Sequence, residues 1–184
     1  MATVTINPNG PGSETSIYYT YGSANHWENV LGTPDTFNWS PHDSGGTRDL
    51  YSLGDTGIST GVIHRIKVYV TAGGWEGWGA NASIKNSGYG VHDYSLVGGC
   101  ATLDTNPDTG LPWTWAQLDS MEAGAIIYAG SGVGNDVMLL RVYVVVEYTV
   151  APPSISKYNG TGLEVIAKIN SLSLASVAKV NGVG

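Results

Sequence analysis

Apolar and polar residues alternate along Gly61–Ala72, "GVIHRIKVYVTA". Ile66, Val68 and Val70 fall on one face, and Arg65, Lys67 and Tyr69 on the other. A period of two belongs to a strand with one face in a core and the other in water, so this segment predicts a half-buried antiparallel strand. Asp136–Val150, "DVMLLRVYVVVEYTV", is longer. Its first face (Met138, Leu140, Val142, Val144, Val146, Tyr148) is expected to lie fully in a core, and Leu139, Arg141, Tyr143, Val145 and Glu147 lie on the other. Met1–Ile6 alternates Val4 and Ile6 with threonines and is expected to stop at "NPNGPG". "TSIYYTYG" (Thr15–Gly22) predicts a second strand, and "GGWEGWGANASIKNSG" (Gly73–Gly88) a turn opening another. Asn25–Asp55 reads as loop-rich, with Trp27, Trp39 and Tyr51 as core anchors.

Helix signals gather in "PWTWAQLDSMEAG" (Pro112–Gly124). Thr114 followed three positions later by Gln117 is a capping box, which satisfies free amides of a first helical turn. Trp115, Leu118 and Met121 share a face, and Gly124 is placed to serve as the C-cap. Many short strands, Gly-rich turns and one short helix predict an all-β fold: an antiparallel two-sheet β-sandwich, jelly-roll-like. "APPS" (Ala151–Ser154) ends this body, because two prolines do not continue a central strand. The expected organisation is a body over 1–150, a Pro linker over 151–154 and an arm over 155–184.

The arm repeats with a period of eleven. Lys157, Lys168 and Lys179 are in step, as are Asn159, Asn170 and Asn181. Ile155, Ile166 and Val177 open the units, and Leu163 and Leu174 close the first two. Asn-Gly favours the positive φ angles of a type I′ turn, so each unit is expected to form a strand–turn–strand hairpin. A small hairpin is marginal alone and a repeat unit does not bury its own apolar face. The arm is therefore expected to pair strands with a partner surface, with Ile155, Leu163, Ile166, Leu174 and Val177 as its apolar anchors.

Charge sharpens the division. Only 12% of the 184 residues are charged, low for a soluble domain. Residues 1–153 carry fourteen acids against five Lys/Arg, a net of −9, whereas 154–184 carry three Lys and one Glu, a net of +2. An acidic body without clustered Lys/Arg argues against nucleic acid or an anionic membrane as partner. The first ten residues have neither the basic nor the apolar run of a signal peptide, and no stretch approaches the length of a membrane span. Synthesis in the cytoplasm is the expectation.

Candidate chemistry is sparse. Asp104, Asn106 and Asp108 in "DTNPDTG" have the alternating spacing that aims oxygens at calcium. However, Gly110 falls one place late for an EF-hand and Trp115 stands where its last ligand belongs, so an Asx–Pro–Gly turn is the better reading. Trp75 and Trp78 in "GGWEGWG" suit stacking on sugar rings, or else the closing of one end of the sandwich. Four scattered histidines and the single Cys100 form no zinc or nucleophile pattern, and nucleotide-binding and hydrolase signatures are missing. Acids such as Asp43, Asp49 and Asp55 pair no more suggestively than on any acidic surface. No enzymatic activity, metal or cofactor is expected.

The "IAKVNGV"-type repeats following a β-rich body resemble the ends of tailed-phage structural proteins. The segments "DLYSLGD", "TNPDTGLPWTWAQLDSMEAG" and "LLRVYVVVEYT" resemble β-sandwich domains of phage and prophage structural proteins. The resemblance implies a virion component (head decoration, head fibre or tail), homo-oligomeric and found in an extracellular particle. Its implied partners are copies of itself and other virion proteins. The rival expectation is a carbohydrate-binding module that holds surface glycans through Trp75 and Trp78, and a further one is a filament subunit joined by strand donation.

Overall fold

The alternating segments become strands. In chain order these are β1 (Ala2–Ile6), β2 (Pro8–Thr15), β3 (Tyr19–Tyr21), β4 (Phe37–Ser40), β5 (Gly46–Leu53), β6 (Val62–Gly74), β7 (Gly79–Lys85), β8 (Val91–Ser95), β9 (Cys100–Leu103), β10 (Glu122–Tyr128) and β11 (Val137–Thr149). Among the described residues the body also has one helix, α1 (Trp115–Asp119), and a 3₁₀ turn (Glu28–Val30). This computed structural model describes residues 1–33, 35–41, 45–74, 77–130 and 136–150, together with the strand residues 157–158 and 161–162. The chain divides into two compact units, Met1–Val150 and Ala151–Gly184.

The first unit is an antiparallel two-sheet sandwich, as the alternation predicts. Four strand pairs nest inside one another: β4 with β11, β5 with β10, β6 with β9, and β7 with β8. Successive pairs fall in alternate sheets, giving the orders β4-β11-β6-β9 and β5-β10-β7-β8. A long hairpin wrapped in this way is a jelly roll. β3 and β1 extend the first sheet and β2 extends the second.

The core fills the space between the sheets. Val142, Val144 and Val146 of β11 and Ile66, Val68 and Val70 of β6 face Ala82, Ile84, Ala123, Ala125 and Ile127 of the second sheet. Alanines opposite branched side chains let the two layers interdigitate. Trp113, Trp115, Leu118 and Met121 join the same core from α1 and its flanks.

Four local features depart from the sequence reading. First, β11 shifts register between Leu139 and Arg141. This bulge buries Leu139 and leaves Met138 and Leu140 half-buried, so the strand presents Val137, Leu139, Val142, Val144 and Val146 to the core. Second, "NPNGPG" does not end pairing but runs on as β2, at the edge of its sheet and with two register shifts. An edge tolerates prolines. Gly12 also lets β2 approach closely, since a Cβ there would lie 2.4 Å from the Leu50 carbonyl oxygen.

Third, α1 starts on the predicted capping box, with Thr114 accepting from the Gln117 amide and Gln117 accepting from the Thr114 amide, but it ends at Asp119. Gly124 is not its cap. It lies within β10, where a Cβ would fall 1.8 Å from the Asp49 carbonyl oxygen. Fourth, the loop-rich stretch Asn25–Asp55 contains β4 and β5, and Trp39 stands half-buried outside the core cluster.

In the second unit, β12 (Lys157–Tyr158) pairs antiparallel with β13 (Thr161–Gly162), Lys157 opposite Gly162 and Tyr158 opposite Thr161. Asn159 and Gly160 lie between them in the chain.

Candidate functional site

A buried polar cluster fastens one end of the jelly roll. Asp49, on β5, has no exposed surface. Its Oδ1 accepts from the amides of Ser16 (2.9 Å) and Ile17 (3.0 Å). Its Oδ2 accepts from the Tyr51 hydroxyl (3.2 Å) and, at a longer 3.5 Å, from Asn38 Nδ2. His26 Nδ1 lies 2.5 Å from the same Oδ2, so this nitrogen carries the shared proton. Asn38 Nδ2 also donates to the Tyr51 hydroxyl at 3.0 Å, while Asn29 Nδ2 donates to Asn38 Oδ1 at 3.1 Å. Burial, followed by the Asp49 charge, pushes the Tyr51 phenol well above its ordinary value. The cluster thereby joins the β2–β3 connection, the turn carrying His26, β4 and β5. Pattern reading singled out none of its links, because they run between distant segments.

His26 also lines a hollow of about 170 Å³ with Pro11, Thr15, Asn25, Trp27 and Tyr51. The contact of Nδ1 with Asp49 fixes the orientation of the ring. The described lining adds one hydroxyl, Thr15, and the buried Tyr51 phenol. The chemistry this geometry supports directly is anchorage of the chain around a buried carboxylate.

The calcium-spaced residues are held by protein partners. Asp104 is exposed and pairs with Arg65, Nε to Oδ1 at 3.1 Å. Asn106 is buried, and its Oδ1 accepts from the Asp108 amide (2.9 Å) and from Asn86 Nδ2 (3.2 Å). Asp108 meets His92 Nε2 at 2.7 Å and Asn86 Nδ2 at 2.5 Å. Asn106 and Asp108 therefore converge on Asn86, while Asp104 turns away to Arg65. Among the described residues no group of three His, Cys, Asp or Glu is arranged to share an ion.

Trp78 is 40% exposed and lies over Gly74, where a Cβ would sit 2.9 Å from Trp78 Cγ. It borders an open groove of about 520 Å³ whose walls include Val70 and Ala72 of β6, Ala80 of β7, and Leu96. Since β6 and β7 belong to different sheets, the groove opens between them, with Trp78 at its rim. Trp75 and the arm anchors Ile155, Leu163, Ile166, Leu174 and Val177 lie outside the described residues.

A second aromatic group went unnoticed in the sequence reading. Tyr19 of β3 stacks on Trp39 of β4, with ring centroids 4.4 Å apart and planes 22° from parallel. Tyr21 stacks on Phe37 at 5.2 Å and 18°. Each pair is directly cross-strand in register. Trp39 in turn sits opposite Met138 of β11, and Phe37, Trp39, Asp136 and Met138 line a groove of about 320 Å³. The signal for it was the tyrosine density of "IYYTY" (Ile17–Tyr21), whose alternation places Tyr19 and Tyr21 on one face.

Elsewhere on the first sheet, Lys67 Nζ meets Glu147 Oε1 at 2.5 Å, and this hydrogen bond raises the lysine and lowers the glutamate from their ordinary values. Tyr69 and Tyr143 stack at 4.7 Å, with the Arg141 guanidinium 4.5 Å above the Tyr143 ring. Among the described residues no helix is long and apolar enough to cross a membrane. No protein-family model matches this sequence, and no curated protein matches it.

Proposed function

We propose that the protein is a non-enzymatic structural subunit of a phage virion or similar particle, which assembles through its C-terminal β arm. The observation that carries this reading is the eleven-residue repeat of Ile/Val, Lys and Asn, whose first unit contains the paired strands β12 and β13. A hairpin of this size is too small to be stable alone and gains stability by adding its strands to another surface. The opposed charges of the two segments, −9 for 1–153 and +2 for 154–184, favour meeting between copies. The jelly roll is compatible with a capsid-type role, as it is with lectins, and by itself selects neither.

The test is the solution mass of the full chain beside a chain ending at Pro153, by light scattering after size exclusion. A defined oligomer or filament for the full chain and a folded monomer for the shortened one are expected. Equal masses for the two would remove the arm as the assembly device.

A further inference from the structure

We propose that the Tyr19–Trp39 and Tyr21–Phe37 stacks form a binding platform for a neutral saccharide. The platform lies on β3 and β4, where β3 ends its sheet. A glycan laid across it therefore runs past the sheet edge without meeting another strand of that sheet. Tyr18, Tyr19 and Tyr21 are 60%, 49% and 59% exposed, a concentration of large apolar surface that a folded chain seldom leaves open without use.

The chemistry on offer is amphipathic. The rings supply flat apolar surface, and the hydroxyls of Tyr18, Tyr19 and Tyr21 have no hydrogen-bond partner among the described residues. A pyranose is amphipathic in the same sense, with C–H groups on its faces and hydroxyls around its rim. Aromatic side chains with a polar handle meet both needs at once. Cross-strand stacking holds the rings in place beforehand, so little conformational freedom is lost when a ligand settles on them.

Charge and size narrow the class further. The four stacked side chains, Tyr19, Trp39, Tyr21 and Phe37, carry no cation. Phosphorylated, sulfated and uronic-acid ligands require cations, which favours a neutral sugar. The groove, about 320 Å³, falls at the small end of small-ligand sites. A protein partner is less well served: β3 offers only three residues of backbone for strand addition.

This inference is independent of the arm. Its test is calorimetric titration of the full chain with neutral oligosaccharides of glucose, mannose, xylose and galactose. Binding of at least one is expected, weakened about tenfold by Tyr19→Ala and by Tyr21→Ala. Tyr19→Phe keeps the stack and removes only the hydroxyl, so a smaller loss is expected in a variant whose fold is intact. Trp78→Ala, in the separate groove, should bind as the parent does. The proposal is overturned if no sugar of the panel binds up to about 10 mM. It is equally overturned if binding survives both tyrosine-to-alanine changes, or if it is lost in Trp78→Ala alone.

Discussion

The imidazole Nδ1 of His26 sits 2.5 Å from Oδ2 of Asp49, and no part of Asp49 reaches solvent. A carboxylate in that position is tolerable only because every donor around it is aimed at it. Removing it strands the amides of Ser16 and Ile17, the Tyr51 hydroxyl and the His26 ring together. Asp49→Ala is expected to cost about 3–5 kcal/mol, and Asp49→Asn about 2 kcal/mol, since the amide keeps one acceptor. Urea unfolding measures both, and a loss under about 0.5 kcal/mol for Asp49→Ala would contradict the keystone role.

The same cluster predicts an alkaline limit. Tyr51 has a raised folded-state pKa, so it stays protonated in the folded chain while the unfolded chain ionises near pH 10. Below that pH both states hold the proton and Tyr51 contributes no pH dependence. Above it the unfolded state binds fewer protons, and stability falls by about 1.4 kcal/mol per pH unit until the folded pKa is reached. Unfolding curves between pH 9 and 12 should show this slope, reduced in Tyr51→Phe. An unchanged slope in that variant would assign the effect to other groups.

Gly124 is expected to tolerate no side chain. A methyl group there meets the Asp49 carbonyl oxygen, a backbone atom that moves only with β5. Gly124→Ala should destabilise the body by about 3 kcal/mol or prevent folding, read from the melting temperature or the soluble yield. A variant as stable as the parent would mean that the two strands are not so closely apposed.

Thr114→Ala removes the side chain that accepts from the Gln117 amide at the start of α1. The expected cost is about 1 kcal/mol. Thr114→Ser keeps the oxygen and should recover most of it. The pair of thermal midpoints is the measurement, and equal losses in both variants would argue against the cap.

Much of the fold was legible because burial enforces a period of two. β6 runs where "VIHRIKVYV" alternates, and the Thr114–Gln117 box marks the first turn of α1. The errors have local causes. The β11 bulge is a backbone event that exchanges faces midway, so reading one uninterrupted period put Met138 and Leu140 inside. The Gly–Pro run of β2 looks like a stop until its place at a sheet edge is known. Gly124 looks like a helix cap because its constraint comes from Asp49, distant in sequence. The Asp49 cluster was hidden for the same reason. The tyrosines of β3 were visible in "IYYTY", but their stacking on Trp39 and Phe37 depends on strand pairing, which composition does not reveal.

Ala2 pairs with Tyr148, and the β4–β11 pair encloses all the strands between them. β1 must therefore wait for β11, at the other end of the body, before its sheet is complete. Nested pairing of this kind maximises the chain length each contact has to close, which slows folding relative to fold classes rich in local pairing. Until β11 emerges, the apolar faces of β6 and β10 have no complete opposite layer. The interval before β11 is available is thus when this body is most exposed to aggregation and depends most on chaperones.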